Sequence, residues 1–159
     1  MRSETFFKEF IEDNRATIYK ICRIYANDAE ELKDFVQEVT IQLWRSHQNF
    51  ENRSKLSTWV YRVALNVCMT LSKRKKRGID TVSLLSTDWY DDDNEVEKEQ
   101  LEALYTAIRK LSESERAIIL LYLEDKSYRE ISEILGITVT NVGVRVNRVK
   151  NQLKTLTNG

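Results

Sequence analysis

Nothing in this sequence interrupts a helix for long. It has no proline and only four glycines in 159 residues, and no Asn-Gly or related pair stands between two alternating apolar runs. Proline and glycine are the strongest local breakers of helices, and tight β-hairpins need residues that accept positive φ. The expected fold is therefore all-α. A hydrophobic content of 42 % is adequate for packed cores, and the length suits one ordinary domain or two small ones.

Charge decides between those two. The chain is formally neutral, yet residues 1–78 carry 15 basic against 10 acidic side chains, residues 79–100 one against eight, and residues 101–159 nine against seven. Two basic blocks flank an acidic bridge, which predicts two small helical domains, 1–78 and 101–159, and a linker at 79–100. The linker contains WYDDDNEVEKE, whose charge and lack of periodicity read as a mobile tether. Trp89 and Tyr90 are unusual in a spacer and are candidates to dock on one of the domains.

The strongest chemical signal lies between Glu51 and Asp80. No other acid occurs in that interval, while Arg53, Lys55, Arg62, Lys73, Arg74, Lys75, Lys76 and Arg77 do, with Trp59 and Tyr61 among them. Leu56, Trp59, Val60, Val63, Ala64, Val67 and Leu71 recur at helical spacing and predict one apolar face, leaving Thr58, Tyr61, Arg62, Leu65 and Asn66 to face outward. Cations give affinity for a polyanion, and aromatic and amide groups add stacking and base-edge contacts, so the mixture points to nucleic acid more than to membrane. A core helix with a solvated basic end fits the same pattern.

Upstream, Phe6, Phe7, Phe10, Ile11, Ile18, Ile21, Cys22 and Tyr25 predict one bent helix or two over residues 4–25. A further helix is expected from about Ala29 to Arg45, burying Leu32, Phe35, Val36, Val39 and Leu43. Its opposite face gathers Asp34, Gln37, Glu38, Ile41, Trp44 and Arg45. Apolar anchors ringed by polar groups are the composition of a protein interface, although Trp44 folding back over its own core is the competing reading. The polar stretch 46–57 reads as a loop carrying His47 as a surface residue.

After the linker the helical pattern resumes through Leu104, Ile108 and Leu111. Ser112 and Glu115 then form a capping box for a helix containing Ile118, Ile119, Leu121, Tyr122 and Leu123. Tyr128, Ile131, Ile134 and Leu135 make a short helix, Gly136 permits the turn, and Ile137 fills the gap. A last helix starts near Thr140 with Val142, Val146, Val149, Leu153 and Leu156 buried. This is helix-turn-helix spacing. Thr140, Asn141, Val144, Asn147, Arg148 and Asn151 share the outward face, and no acid follows Glu133, which suits a recognition helix in a major groove. Gly143 would let the backbone approach DNA closely. A three-helix unit without DNA contact is the alternative.

Cys22 and Cys68 sit in apolar patterns without metal spacing and read as reduced packing residues. No metal, cofactor or catalytic constellation is expected. No apolar run approaches a membrane span and MRSETFFKEF lacks a signal-peptide core, so the expected location is the cytoplasm.

Three segments, DFVQEVTIQLW (34–44), FENRSKLSTWVYRVALNVCMTLSKRKKR (50–77) and LSESERAIILLYLEDKSYREISEILGITVTNVGVRVNRVKNQL (111–153), resemble in order and spacing the extracytoplasmic-function (ECF) group of bacterial sigma factors. The resemblance covers nearly the whole chain and implies a non-enzymatic subunit that binds core RNA polymerase and directs it to promoters. It implies that the helix bearing Asp34, Gln37, Glu38, Ile41, Trp44 and Arg45 docks on the polymerase clamp. It implies minus-ten recognition and melting by Asn52, Lys55, Ser57, Thr58, Trp59, Tyr61, Arg62, Asn66, Lys73 and Arg74. Minus-thirty-five reading falls to Tyr128, Thr140, Asn141, Gly143, Val144, Arg145, Asn147 and Arg148, the linker to the polymerase's RNA channel, and an anti-sigma factor is the expected regulator. Family recognition helices often carry a basic residue followed by Ser where this chain has Gly143 and Val144. With four residues after Thr155, no further regulatory domain is expected. The reading from another class is a dimeric helix-turn-helix regulator, against which stands the separate basic helix with Trp59 and Tyr61. An enzyme acting on nucleic acid would need a catalytic set that is not visible.

Overall fold

A computed structural model of the chain describes residues 4–47, 56–75 and 95–158. Asn52, Lys55, Lys76, Arg77, Trp89 and Tyr90 lie outside the described residues. All regular structure within them is helical: α1 Glu4–Asp13, α2 Arg15–Tyr25, α3 Ala29–His47, α4 Leu56–Lys75, α5 Glu95–Arg109, α6 Glu113–Leu123, α7 Tyr128–Leu135 and α8 Val139–Asn158.

The apolar rhythm of residues 4–25 resolves into two helices because Asn14 stops the first. Its side-chain amide and its backbone N–H both donate to the Phe10 carbonyl, at 2.9 and 3.1 Å, which closes the end of α1. Helix α3 is started by Asp28, whose Oδ1 accepts from the Glu31 amide at 2.7 Å, and its first turn carries Glu30 and Glu31 where the helix dipole favours acids. It runs to His47, two residues beyond the expected end. Those residues reverse the surface reading of His47. Four positions after buried Leu43, its ring lies in the core against Phe7, with centroids 5.1 Å apart, and against Trp44 at 4.6 Å. Nδ1 bonds the Trp44 carbonyl.

Helix α4 is rotated from the sequence expectation. Val60, Ala64 and Cys68 form its buried stripe toward α2 and α3, and the small residues at 64 and 68 let the helices come close. The Cys68 and Cys22 sulfurs lie 3.6 Å apart as free thiols, and burial raises the Cys68 thiol above its ordinary range. Val63, Val67 and Leu71, expected on the apolar face, are only half-buried. Thr58, Tyr61 and Leu65, expected outside, are buried, at 6 %, 6 % and 1 % exposure. The reason is tertiary, since α4 also packs against α6 and α7 and a second side of it is therefore covered.

In the C-terminal half the local signals hold. Ser112 and Glu115 make the expected reciprocal cap, with Ser112 N donating to Glu115 Oε1 at 3.0 Å and Glu115 N to Ser112 Oγ at 3.3 Å. A second box, Ser127 with Glu130, starts α7. Val142, Val146, Val149 and Leu153 of α8 are buried and Leu156 partly so. Leu123 departs from expectation, being 44 % exposed at the end of α6. The two charge-defined blocks share one continuous core, joined by α4 with α6 and α7 and by α2 with α5 and α6.

The rotation of α4 is testable by truncation. Leu65→Ala is expected to cost about 2–5 kcal/mol in chemical denaturation, the range for a fully buried leucine, while Val63→Ala costs less than about 1 kcal/mol. The reverse order would restore the register read from the apolar periodicity.

Candidate functional site

The helix-turn-helix is assembled by short-range bonds. Gly136 adopts φ +70°, a left-handed conformation that closes α7, and its amide donates to the Ser132 carbonyl. Ser132 Oγ donates to the Ile137 carbonyl, and Thr138 Oγ1 accepts from the Asn141 amide at 3.1 Å, which fixes where α8 begins. With Val142, Val146 and Val149 turned inward, Thr140, Asn141, Val144, Arg145, Asn147 and Arg148 are all exposed, Val144 at 50 %. The helix contains no acid. Arg145 and Arg148 also border a hollow of about 430 Å³ beside Ser112 and Ser114 at the start of α6.

Gly143 serves a different purpose from the one its sequence position suggests. A Cβ built there would lie 3.4 Å from Cε2 and 3.8 Å from Cδ2 of Tyr128. The space over the glycine is taken by the Tyr128 ring rather than left open for a DNA backbone. Tyr128, the first residue of α7, thereby lies on α8 with its side chain partly exposed.

On α3, Asp34, Gln37 and Arg45 are exposed and Glu38 and Ile41 half-buried. Trp44 is 43 % exposed with one edge against Phe7, at 5.0 Å between centroids. One side of the indole thus packs inward and the other is exposed at the surface. Between α3 and α4 runs a groove of about 370 Å³, floored by Val63, Val67 and Leu71 and rimmed by Glu38, Gln42, Asn66 and Arg74. It brings a member of the expected protein-binding set to within a groove's width of two members of the expected DNA-binding set.

The α4 set is split. Ser57, Arg62, Asn66, Lys73 and Arg74 are exposed. Trp59 is half-buried and stacked on Phe10 at 5.5 Å. Thr58 and Tyr61 are buried, and Tyr61 meets the second domain: Lys126 Nζ lies 4.9 Å from its ring centroid. Burial, with the nearby Glu124 carboxylate, pushes the Tyr61 phenol up to about 12, so it stays protonated as a hydrogen-bond donor. Glu124 is itself paired with Lys20 of α2 at 3.1 Å. Arg62 donates from Nε, at 3.0 Å, and from Nη2 to the Glu133 carbonyl in the last turn of α7.

A return clamp comes from the other side. Arg116 of α6 donates to the Ile24 carbonyl in the last turn of α2 at 3.2 Å, and also to the Leu111 carbonyl at 3.0 Å and the Arg109 carbonyl. Tyr25 Oη donates to the Glu113 carbonyl at 2.6 Å, and Arg23 pairs with Glu102 at 2.7 Å beneath the Tyr105 ring. Sequence reasoning missed Arg116, Lys126, Glu124 and Arg23, because contacts across two domains leave no periodic trace. The described residues hold no cluster of three or more His, Cys, Asp or Glu placed for a metal, and no helix among them is long and apolar enough to cross a membrane.

Comparison with known proteins matches residues 10–78 to the family model for Sigma-70 region 2 and residues 101–153 to the model for Sigma-70 region 4. The chain is 28 % identical to the ECF RNA polymerase sigma factor SigW of Bacillus subtilis, over 93 % of this chain and 87 % of that one. It is 30 % identical to the ECF RNA polymerase sigma-E factor of Haemophilus influenzae, over 78 % and 73 %. Similar folds occur in the solved structure of CnrH in complex with the cytosolic domain of CnrY, with a TM-score of 0.72, 18 % identity and coverage of 98 % of this chain and 90 % of that one. They occur also in the sigma factor RpoE from Bartonella quintana in complex with the anti-sigma factor NepR, with a TM-score of 0.72, 22 % identity and coverage of 94 % and 95 %.

The Tyr128 ring over Gly143 yields a prediction. Gly143→Ala places its methyl at ordinary contact distance and gains helix propensity, so the melting transition should indicate stabilisation of up to about 1 kcal/mol. A loss of stability would mean that the ring cannot accept a methyl and that the glycine is required by packing.

Proposed function

We propose a division of labour that starts from one premise: the chain belongs to the ECF group of sigma-70 family sigma factors, non-enzymatic subunits that direct RNA polymerase to promoters. Residues 1–78 bind core polymerase and open the minus-ten element, residues 79–100 link, and residues 101–159 read the minus-thirty-five element as duplex. The observation that carries this reading is the acid-free exposed row on α8, opposite buried Val142, Val146 and Val149. A helix so patterned lies in a major groove, where Asn141 and Asn147 match adenine edges, Val144 a thymine methyl, and Arg148 guanine or phosphate.

On α3, Asp34, Gln37, Glu38, Ile41, Trp44 and Arg45 form the polymerase-docking surface, with the outer half of Trp44 as anchor. On α4, Ser57, Tyr61, Arg62, Asn66, Lys73 and Arg74, together with Asn52 and Lys55 before it, hold the separated non-template strand, while Thr58, buried, is not offered to it. Trp59 contributes by fixing α4 on Phe10. Unstacking bases costs a few kcal/mol per step, and aromatic stacking with phosphate-binding cations offsets that cost. Core RNA polymerase and promoter DNA are the partners, an anti-sigma factor is the expected regulator, and the cytoplasm is where they meet.

Reconstitution with core polymerase tests the assignment. Trp44→Ala is expected to weaken capture of core polymerase about thirtyfold, as loss of a roughly 2 kcal/mol anchor requires. Because a large part of the indole is exposed, the fold should lose less than the ~3–5 kcal/mol of a fully buried tryptophan. Intact capture with a collapsed melting temperature would make Trp44 a core residue only. In a binding-site selection, Val144→Ser should shift the preferred bases at one minus-thirty-five position, since each good base contact contributes about 1–3 kcal/mol of discrimination. An unchanged preference would mean that Val144 faces no base and that α8 enters the groove on another face.

A further inference from the structure

An aromatic anchor on a docking surface contributes most when its outer face is already oriented before the partner arrives. We infer that His47 is the positioning residue for Trp44: it closes the end of α3 and backs the indole from within, so that the opposite face is presented in one fixed orientation. The inference rests on the assignment of Trp44 to polymerase docking.

Three rings from two helices make the support. Phe7 of α1 meets the indole at 5.0 Å between centroids with the planes at 72°. His47 stacks on the indole at 4.6 Å and 27°, and lies 5.1 Å from Phe7. Each ring touches the other two, so the indole cannot turn without displacing both neighbours. A tryptophan alone on a helix surface would sample several rotamers. Phe7 and His47 are buried, and of the three only Trp44 reaches the surface. The triangle also gives α1, to which no contact with polymerase or DNA is assigned, a part in docking, since it supplies one of the two rings that hold the anchor.

His47 fixes its own place as well. It is the last residue of α3, three positions after Trp44 and therefore on the same side of the helix. The last four carbonyls of a helix lack intrahelical partners, and that of Trp44 is bonded by His47 Nδ1. A carbonyl only accepts, which places the ring proton on Nδ1. Nε2 is then an acceptor, buried and without a hydrogen-bond partner among the described residues. A buried acceptor left unpaired opposes folding. Apolar packing beside Phe7 and Trp44 would be met by a phenylalanine, which carries no such penalty. What the imidazole adds is the bond that ties its plane to the backbone under the indole.

The test labels the full chain with 5-fluorotryptophan and measures capture of core polymerase in parallel. The chain has three tryptophans, and the fluorine resonances are assigned with Trp44→Phe, Trp59→Phe and Trp89→Phe. His47→Asn removes the ring and keeps an amide donor. It should broaden or split the Trp44 resonance alone, and weaken capture about fivefold, as when the competent orientation is held a fifth of the time. His47→Phe returns a ring to the stack and should bring capture back to within about twofold of the unaltered chain. In the Trp44→Ala background, His47→Asn should weaken capture no further, because its effect runs through the indole. Should His47→Asn fail to fold, Phe7→Leu, which withdraws the other ring, carries the same expectations. An equal loss with and without the Trp44 side chain would overturn the positioning role, as would a changed Trp44 resonance with undiminished capture. If Trp44→Ala itself captures polymerase as well as the unaltered chain, the docking assignment fails and takes the inference with it. That failure is recognised by a Trp44 resonance that still responds to His47→Asn.

Discussion

Helix α4 is buried from two directions, and the architecture depends on that. One stripe, Val60, Ala64 and Cys68, packs on α2 and α3; the neighbouring stripe, Tyr61 and Leu65, packs under α6 and α7. An amphipathic surface helix usually buries one face and leaves the other to solvent. Here two cores meet through a single helix and become one, and the side left open is the groove over Val63, Val67 and Leu71.

What could be read from the sequence followed the range of the interactions. The capping box at Ser112, the turn at Gly136 and the valine stripe of α8 are settled within a few residues, and all three stand where the pattern put them. The orientation of α4 was not legible, because its apolar residues ring more than half the helix and a neighbour some seventy positions away, such as Glu133 for Arg62, decides which of them are covered. His47 was misplaced for a local reason: two residues of helix beyond Arg45 carry it from the surface into the aromatic cluster with Phe7 and Trp44. Gly143 was legible as unusual but not in its use, since the Tyr128 ring that fills its space comes from the preceding helix.

The seam between the domains is cationic. Arg23, Arg109 and Arg116 are drawn together there, and burial lowers all three below their usual range. For Arg109 the neighbouring Arg23 and Arg116 add to that, and its buried Nε and Nη2 have no hydrogen-bond partner. Glu102 balances part of this charge through its bond to Arg23. Unpaired buried donors and facing like charges both weaken the packing at the seam. The apolar contribution of Tyr61 and Leu65 is thus set against an electrostatic load at the junction.

Across that junction, Arg62, Arg116 and Tyr25 each hold a main-chain oxygen: those of Glu133, Ile24 and Glu113. Every residue type presents that oxygen equally. Positions 133, 24 and 113 are therefore free to drift among related chains without loosening the clasp, provided the helices keep their course. A search for co-varying residue pairs would pass over these contacts. The junction is written in this chain's backbone geometry and in three donor side chains, and its history would show as persistence at 25, 62 and 116 rather than as paired change.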